Sequence, residues 1–317
     1  MDFRNKISII VPIYGVEKYI GQCARTVLEQ TCRRVEFIFV NDGTPDSSMD
    51  ILRNLIDNEY SHLKSRIKII EQPNRGLPSA RRAGLKAATG DYIFFVDSDD
   101  WIELDAAEQI ARCADDTGAD MIYFGLYKEK KNKRAARIEK DWNKAGKMEY
   151  IKALYTGKTY GYLVIKCFKR SIYEENEVYF PVKGMLEDRY MATQLIYWSK
   201  SMYRLERNLY HYRRSNPDAF TRQKRARKRL DSSINMMDLY MHFRDNLSQS
   251  PVQDVYRHIL YYTAWNAIYF KLPLFDMFPA LEEDLRPLPV SRKNLLPLFK
   301  QIAVRIYLTF KGWNQRS

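Results

Sequence analysis

The sequence predicts an α/β protein with a mostly parallel sheet covered by helices on both faces, followed by a helical C-terminal region. Two observations lead to this prediction. Short apolar runs alternate with segments of helical spacing through residue 126, and that alternation is typical of parallel sheets. Beyond about residue 225 the hydrophobic spacing is helical throughout. We therefore expect a catalytic or binding domain over residues 1–222 and a helical region over residues 223–317.

The first elements follow in strict alternation along the chain. Strands are predicted at residues 7–13, 35–40, 67–70 and 92–96, each a short apolar run of the kind buried on both faces. Helices are predicted at residues 19–30, from the capping segment 46–48 onward, and from Pro78 to about residue 88. Turn-forming segments at residues 41–43 and 73–76 separate these elements.

Later signals are weaker until the C-terminal helices. A helix at 104–116 and a strand at 120–126 precede a mixed region over 148–212, which contains a helix at 187–199. Two basic clusters, residues 128–140 and 222–229, are interpreted as solvated loops or helix faces. Further helices are predicted at 230–243, 252–270 and 294–310.

Composition restricts the class of partner. The 317 residues have a formal charge of +13, which favours anionic partners: nucleic acid, phosphorylated small molecules or an anionic membrane surface. The basic clusters lack the interleaved aromatic residues of stacking platforms, so we expect no nucleic acid. Four cysteines without metal-ligand spacing, and no apolar run long enough for a signal or a membrane span, predict a reduced, cytoplasmic protein.

Acidic residues follow two predicted strands. Asp42 comes after the second strand, and Asp97 and Asp99 come after the fourth. Ligands of such sheets bind at the carboxyl ends of the strands, and alternating carboxylates there suit Mg²⁺ or Mn²⁺. The alternative for residues 97–100 is an Asp-rich turn that caps the helix near Leu104.

Asp42 and Asp188 each allow two interpretations. A carboxylate at Asp42 accepts hydrogen bonds only, so it would suit the ring N–H of uracil, thymine or guanine. The alternative is a turn residue whose carboxylate accepts hydrogen bonds from its own backbone. Asp188 lies in line with Met191, Leu195 and Trp198, the apolar stripe of its helix. A carboxylate on that stripe is costly unless paired or functional, and the alternative is a helix-start carboxylate favoured by the dipole.

The segment 210–221 (YHYRRSNPDAFT) is the last candidate for chemistry. Arg213 and Arg214 are candidates for a phosphate clamp, on a loop that closes over a bound donor. The alternative is a surface loop after a strand. His211 is either a third metal ligand or a structural histidine.

Taken in order, these segments resemble the family-2 glycosyltransferases, inverting enzymes of the GT-A fold, of the kind that build bacterial cell-surface polysaccharides. The matching stretches are residues 11–14 (VPIY), 40–48 (VNDGTPDSS), 74–81 (NRGLPSAR), 90–100 (GDYIFFVDSDD) and 187–188 (ED). The resemblance is dense over about residues 6–101 and thinner to about 222.

The resemblance implies a role for each matching residue. Pro12, Tyr14 and Asp42 would line the nucleobase pocket, Arg81 would contact the nucleotide or brace its loop, Asp97 would hold the ribose, Asp99 the metal, and Asp188 would be the general base. The chain departs from the family at Arg82, where Asn is usual, and in segment 218–221, which often contains Gly or Pro then Ser. The second departure concerns the contacts of the closing loop.

The reaction implied is a metal-assisted single displacement with inversion, from a nucleotide-diphosphate sugar, UDP foremost, to a saccharide or lipid-linked saccharide. The helix at 294–310 mixes apolar and basic residues, which suits contact with an anionic membrane, packing on the catalytic domain or a homodimer contact. Two rival functions are a nucleotidyltransferase, which would need a Gly-rich loop after the first strand, and a non-catalytic binding protein of the same fold.

Overall fold

The computed structural model describes residues 3–130, 133–176, 178–181, 187–216, 225–244, 253–290 and 296–314. Its contacts group the chain into two compact units. The first unit comprises Met1–Lys147, Tyr162–Phe180 and Gln194–Ala219. The second comprises Met148–Gly161, Pro181–Thr193 and Phe220–Ser317. The boundary at residue 222 stays a prediction.

A sheet forms the centre of the first unit. Its described strands are β1 (Ile7–Ile13), β2 (Val35–Asn41), β3 (Ile67–Glu71), β4 (Tyr92–Phe95), β5 (Trp101–Ile102), β6 (Met121–Lys130), β7 (Lys133–Arg137), β8 (Lys166–Lys169) and β9 (Met202–Arg213). The spatial order is β3-β2-β1-β4-β8-β6-β9-β5, and β7 pairs with β6. Strands β3, β2, β1 and β4 run parallel, as do β6 and β9, whereas β8 runs antiparallel to both of its neighbours.

Helices of the first unit cover this sheet. They are α1 (Ile20–Leu28), α2 (Ser48–Glu59), α3 (Leu77–Ala87), α4 (Ala106–Thr117) and α6 (Arg170–Glu175). Helix α3 approaches β1 so closely that a Cβ on Gly84 would lie 2.3 Å from Cγ2 of Ile10. Only glycine permits that approach, and every residue of β1 is buried. The α/β class and the GT-A-like sheet with helices on both faces are confirmed.

The second unit is helical. It contains most of α5 (Lys147–Thr156), the first half of α7 (Glu187–Trp198), α8 (Arg225–Phe243), α9 (Gln253–Phe270), α10 (Leu274–Met277), α11 (Pro279–Leu285) and α12 (Leu298–Asn314). Helices α8, α11 and α12 all pack against α9. The buried amide of Asn266 donates to Ser233 Oγ at 3.0 Å, which fixes α9 against α8. No helix among the described residues is both long and apolar enough to span a membrane.

The interpretation of residues 128–140 as a loop or helix face was wrong. Strand β6 continues to Lys130, and β7 pairs with it through Leu126↔Arg137 to Lys130↔Lys133. All of β7 is exposed, so the charged side chains remain solvated while the backbone is paired. Basic side chains are typical of edge strands because they discourage pairing with another chain. In the second cluster, α8 begins at Arg225, and residues 222–224 lie outside the described part.

Candidate active site

The parallel register of the first strands brings several loops to one edge of the sheet. Ile13 of β1 pairs with Asn41 of β2, and the N–H of Asp42 donates to the carbonyl of Ile13 at 3.0 Å. The N–H of Val96 donates to the carbonyl of Ile10 at 3.0 Å, which aligns the end of β4 with β1. The residues that follow these strands therefore meet at one edge, as the sequence predicted.

Asp42 organises the loop between β3 and α3. Its buried carboxylate accepts hydrogen bonds from Gln72 Nε2 at 2.6 Å, Arg75 N at 2.9 Å and Gly76 N at 2.8 Å. The first two reach Oδ1 and the third reaches Oδ2. Because a carboxylate can accept about four hydrogen bonds, Asp42 retains capacity for one further donor.

Two of the predicted nucleobase residues lie where β1 passes into the loop that follows it. Pro12 is buried within β1, whereas Tyr14, two residues later, is 49% exposed. Asp46 fixes this loop against the β2–α2 loop by accepting from the N–H of Glu17 at 2.9 Å and the hydroxyl of Ser48 at 2.6 Å. Burial alone would raise the pKa of Asp46, but these hydrogen bonds and that of Thr44 lower it overall. Asp46 thus holds the loop that presents Tyr14.

Arg81 and Asp97 form an ion pair at the end of β4. The guanidinium, only 1% exposed, donates from Nη2 to Asp97 Oδ1 at 2.9 Å and lies 5.6 Å from the ring centre of Phe95. The Asp97 side chain is 29% exposed. Arg81 therefore fixes Asp97 from within the protein while leaving part of its carboxylate to solvent.

Asp99 is held from a different direction. Its Oδ2 accepts from Asn216 Nδ2 at 2.8 Å, and its backbone carbonyl accepts from Arg213 Nε at 2.7 Å. The Arg213 guanidinium lies between two aromatic rings, 4.9 Å from the centre of Tyr19 and 4.6 Å from that of Trp101. Arg213 therefore braces the Asp-rich turn, and Arg214 is exposed.

Asp100 was quoted in the sequence motif without a role, and the structure assigns it one. Its carboxylate is 1% exposed and accepts from Tyr210 Oη and from the backbone N–H of Arg213, both at 2.7 Å. Burial, and then the charges of Asp99 and Asp97, raise the pKa of Asp100 well above its usual value. The Tyr210 hydroxyl also accepts from the N–H of Asp97 at 3.1 Å, so Asp100 and Tyr210 fix the turn from beneath.

His211 is a structural residue in this fold. Its Nδ1 lies 2.9 Å from Glu129 Oε1 and its Nε2 lies 3.0 Å from Glu103 Oε1. The ring is stacked between Trp101 and Tyr127, with centroids 5.1 and 5.0 Å away. Both ring nitrogens are engaged, so neither is left for a metal.

Asp188 lies in the first turn of α7 and is half-buried. It belongs to the second compact unit. The closing-loop residues 218–221 lie outside the described part of the chain. The roles of Pro12, Tyr14, Asp42, Arg81, Asp97, Asp99 and Asp188 stay predictions.

The carboxylates at this edge of the sheet suit a divalent cation that is shared with the phosphates of a substrate. Within the described ranges, no three His, Cys, Asp or Glu side chains converge as a metal-binding group. Mg²⁺ commonly needs only one or two protein carboxylates when phosphates of a substrate and waters complete its shell. Asp99, half-buried and oriented by Asn216, suits that mode, with Asp97 beside it.

Gln72 was not predicted as part of this site, whereas Tyr210 and Asn216 belong to the candidate segment 210–221 but had no role of their own. Tyr210 and Asn216 are far from the Asp-rich turn in the sequence, and only the pairing of β5 with β9 brings them near it. The one signal in the sequence was the run of polar residues directly after the end of β9. The resemblance to the family is thin over that stretch.

Two curated proteins with similar sequences are named as glycosyltransferases. Over 213 residues the chain is 36% identical to the putative glycosyltransferase EpsH of Bacillus subtilis, covering 65% of this chain and 60% of that protein. It is 32% identical to the uncharacterized glycosyltransferase EpsJ of the same organism, covering 68% and 62%. The matched part thus spans less than two thirds of these relatives.

Solved structures share the fold. TarS 1–349 of S. aureus, solved in complex with UDP-GlcNAc, superposes with a TM-score of 0.61 at 19% identity, covering 98% of this chain and 92% of that one. The mannosyltransferase PcManGT of Pyrobaculum calidifontis, solved with GDP-Man and Mn²⁺, gives 0.57 at 16% identity, covering 99% and 84%. The family model described as glycosyl transferase family 2 matches residues 8–176, over half of the chain, which therefore belongs to that family of glycosyltransferases.

Proposed function

We propose that this glycosyltransferase takes its sugar from a nucleotide-diphosphate donor, UDP foremost, and transfers it with inversion to a saccharide or lipid-linked saccharide. One observation supports this most strongly. Asp97 and Asp99, at the carboxyl edge of the sheet, are each fixed by a different partner, Arg81 and Asn216. Two carboxylates held apart in this way suit two separate tasks, ribose binding and metal binding.

The donor's nucleobase would bind beside Asp42 and Tyr14. The remaining acceptor capacity of Asp42 suits the ring N–H of uracil, and the exposed Tyr14 ring offers a face for the base. Asp97, with its partly solvated carboxylate, would accept a ribose hydroxyl. The fold neighbour solved with UDP-GlcNAc supports the choice of UDP.

Asp99 would hold Mn²⁺ or Mg²⁺. The bound ion supplies neutralisation of the charge that develops on the diphosphate leaving group. Arg213 and Asn216 keep Asp99 in place, through its backbone carbonyl and its side chain. The protein's own contribution is thus a carboxylate whose position does not have to change when the donor binds.

Asp188 would act as general base for the acceptor hydroxyl. Asp188 lies in the first turn of α7, which begins at Glu187, and the residue is only half-buried. An ionised carboxylate can take the hydroxyl proton as the acceptor oxygen attacks the anomeric carbon and the nucleoside diphosphate leaves. That sequence gives inversion in one displacement.

Helix α12 supports contact with an anionic membrane surface. Phe299, Ile302 and Ile306, spaced three and four residues apart, are 63%, 44% and 53% exposed. The chain has a net charge of +13, which favours an anionic surface over a neutral one. Co-sedimentation with anionic vesicles, weakened in Ile302→Glu and Ile306→Glu, is expected. Absence of sedimentation would contradict the membrane contact. A dimer that is dissociated by the same substitutions would indicate that a second copy of the chain covers this face instead.

A donor screen tests the proposed reaction. The purified chain is incubated with UDP-, GDP- and dTDP-sugars, with Mn²⁺ or EDTA, and release of the nucleoside diphosphate is measured. We expect Mn²⁺-dependent release with a UDP-sugar. Release of pyrophosphate from a nucleoside triphosphate and a sugar phosphate would indicate the nucleotidyltransferase. No turnover and no metal-dependent nucleotide binding would leave a non-catalytic protein of this fold.

A further inference from the structure

The second unit contains a cavity that the proposed reaction does not use. It has a volume of about 300 Å³ and is lined by residues of α5, α7, α8, α9 and α12. That volume is at the lower end for small-molecule sites and suits a compact ligand group. Its lining includes Tyr155, Arg189, His258, Tyr262 and Lys300.

The charge in this cavity is positive. Arg189 and Lys300 line it, and the described lining residues include no Asp or Glu. The Arg189 guanidinium lies 5.8 Å from the ring centre of Tyr155, and its buried Nε has no hydrogen-bond partner among the described residues. The Lys300 ammonium lies 5.1 Å from the ring centre of Trp265. Both cations thus lie against aromatic faces, and no carboxylate of the described residues lines the cavity beside them.

His258 adds a buried polar group to the same wall. The residue is 6% exposed, and its Nδ1 has no hydrogen-bond partner among the described residues. Burial, and then the charges of Arg189 and Lys300, lower its pKa to about 4, so the ring is neutral at physiological pH. A neutral imidazole has one N–H donor, and leaving buried polar atoms unsatisfied is unfavourable unless a ligand pairs with them.

The aromatic residues of the cavity wall contact one another and are hydrogen-bonded to further residues. His258 is stacked on Tyr262, with centroids 5.7 Å apart, and meets the edge of Tyr155 at 5.5 Å. The Tyr155 hydroxyl is hydrogen-bonded to Thr193 Oγ1 at 3.1 Å, and Arg229 donates to the Tyr262 hydroxyl. Because their partners fix these rings, a ligand would enter a cavity that is already formed.

We propose that this cavity binds the phosphate group of a phosphorylated ligand. Arg189 and Lys300 supply two positive charges, and a phosphate monoester has a charge of about −1.5 to −2 at neutral pH. A carboxylate would balance only one of the two cations. Arginine presents a planar fork that suits phosphate oxygens, and the lysine supplies a point charge. The aromatic walls accept the carbon skeleton to which the phosphate is attached.

The position of Arg189 in the chain gives this binding a consequence. It directly follows Asp188 in the first turn of α7, so the proposed phosphate ligand and the proposed base belong to the same helical turn, on side chains that point about 100° apart around the helix. If the phosphate belongs to the acceptor, its binding anchors the acceptor on the helix that contains Asp188. This extension rests on the proposed function. Phosphate binding itself does not depend on it.

The test measures binding to the full chain without donor and with EDTA, so that a metal-dependent donor site does not contribute. The soluble probes are inorganic phosphate and glycerol 3-phosphate, whose binding is followed by calorimetry and thermal shift. The lipid probe is phosphatidic acid in vesicles, compared with phosphatidylglycerol, which is also anionic but has no phosphate monoester. Arg189→Gln and Lys300→Gln are compared with Lys158→Gln, an exposed lysine of the same unit outside the lining. Lys300→Gln serves if Arg189→Gln fails to fold.

We expect saturable binding of a phosphate probe, weakened about tenfold or more by each cavity substitution and unchanged in Lys158→Gln. Preference for glycerol 3-phosphate over inorganic phosphate identifies a soluble ligand. Preference for phosphatidic acid over phosphatidylglycerol vesicles, lost in Arg189→Gln as well as in Lys300→Gln, identifies a lipid phosphate. Wild-type protein that binds none of the probes, or binding that is equal in wild type and in both cavity variants, would overturn the proposal. A failed donor screen would not, since no donor is present here.

Discussion

The candidate active site of the first unit and the cavity of the second unit differ in how their polar side chains are held. At the carboxyl edge of the sheet in the first unit, Asp42, Asp97 and Asp99 are each held by hydrogen bonds from within that unit. In the cavity of the second unit, Nδ1 of His258 and Nε of Arg189 have no partner among the described residues. The first arrangement is typical of a site organised before its ligand arrives. The second indicates polar atoms whose partner is supplied from outside.

The largest expected effect concerns Asp188. Asp188→Asn should lower kcat for transfer on the order of 100- to 10,000-fold, because the amide cannot take the acceptor's proton. Binding of Mn²⁺ and UDP should change little, since no donor contact is assigned to this residue. Asp116→Asn, an exposed carboxylate of α4, serves as the control for loss of one charge. A kcat within a factor of three of wild type would remove Asp188 as the base.

Substitution of Arg81 tests how much its ion pair with Asp97 contributes to the stability of the first unit. Arg81→Leu should lower the free energy of unfolding by about 3 kcal/mol, because it removes a buried guanidinium that pairs with Asp97 and lies against the Phe95 ring. The next residue, Arg82, is exposed, so Arg82→Leu should change stability by less than about 0.5 kcal/mol. Urea unfolding of both variants measures the difference. Equal losses would mean that burial of Arg81 contributes nothing specific.

His258 gives the second unit a distinctive dependence on pH. Its pKa is about 4 in the folded chain and ordinarily about 6.5, so the unfolded state binds more protons between these values. The buried neutral imidazole therefore contributes roughly 3 kcal/mol to the free energy of unfolding above pH 6.5, and this contribution is lost as pH falls towards 4.

Unfolding in phosphate-free buffer from pH 7.5 to 4.5 measures this dependence. His258→Gln should show a flatter profile than wild type, whereas His62→Gln, which changes an exposed histidine, should follow wild type. Parallel profiles for wild type and His258→Gln would contradict the burial of a neutral imidazole.

The smallest effect is expected at Asn216. Asn216→Ala removes the 2.8 Å hydrogen bond to Asp99 Oδ2 but leaves Arg213 on the Asp99 carbonyl. The expected loss of about 1 kcal/mol of binding free energy corresponds to a roughly fivefold weaker Kd for UDP in the presence of Mn²⁺. Titration calorimetry at saturating Mn²⁺ measures it. An unchanged Kd would mean that Arg213 alone is enough to orient Asp99.

The sequence predicted well what depends on local pattern. Strand β1 lies at Ile7–Ile13, as predicted, because a strand buried on both faces leaves a continuous apolar run. The edge where Asp42, Asp97 and Asp99 lie follows from alternating strands and helices. Strand β7 was missed because it is exposed throughout and three of its five residues are basic, and only pairing with β6 makes it a strand.

Contacts between distant segments were beyond sequence reasoning. Asp100 is held by Tyr210 and Arg213, which reach it through the pairing of β5 with β9. The cavity around His258 likewise depends on Arg189 and Lys300, which belong to helices far apart in the chain. Such groups have no motif, since their proximity is a product of packing.

The most direct test of the central claim is whether Asp99 links metal and nucleotide. UDP binding is measured by titration calorimetry for wild type, Asp99→Ala and Asp116→Ala, each with Mn²⁺ and with EDTA. We predict that wild type and Asp116→Ala bind UDP with Mn²⁺ and weakly or not at all with EDTA. Asp99→Ala should bind alike in both conditions, at the weaker level. A Mn²⁺-dependent Kd in Asp99→Ala equal to that of wild type would contradict the account.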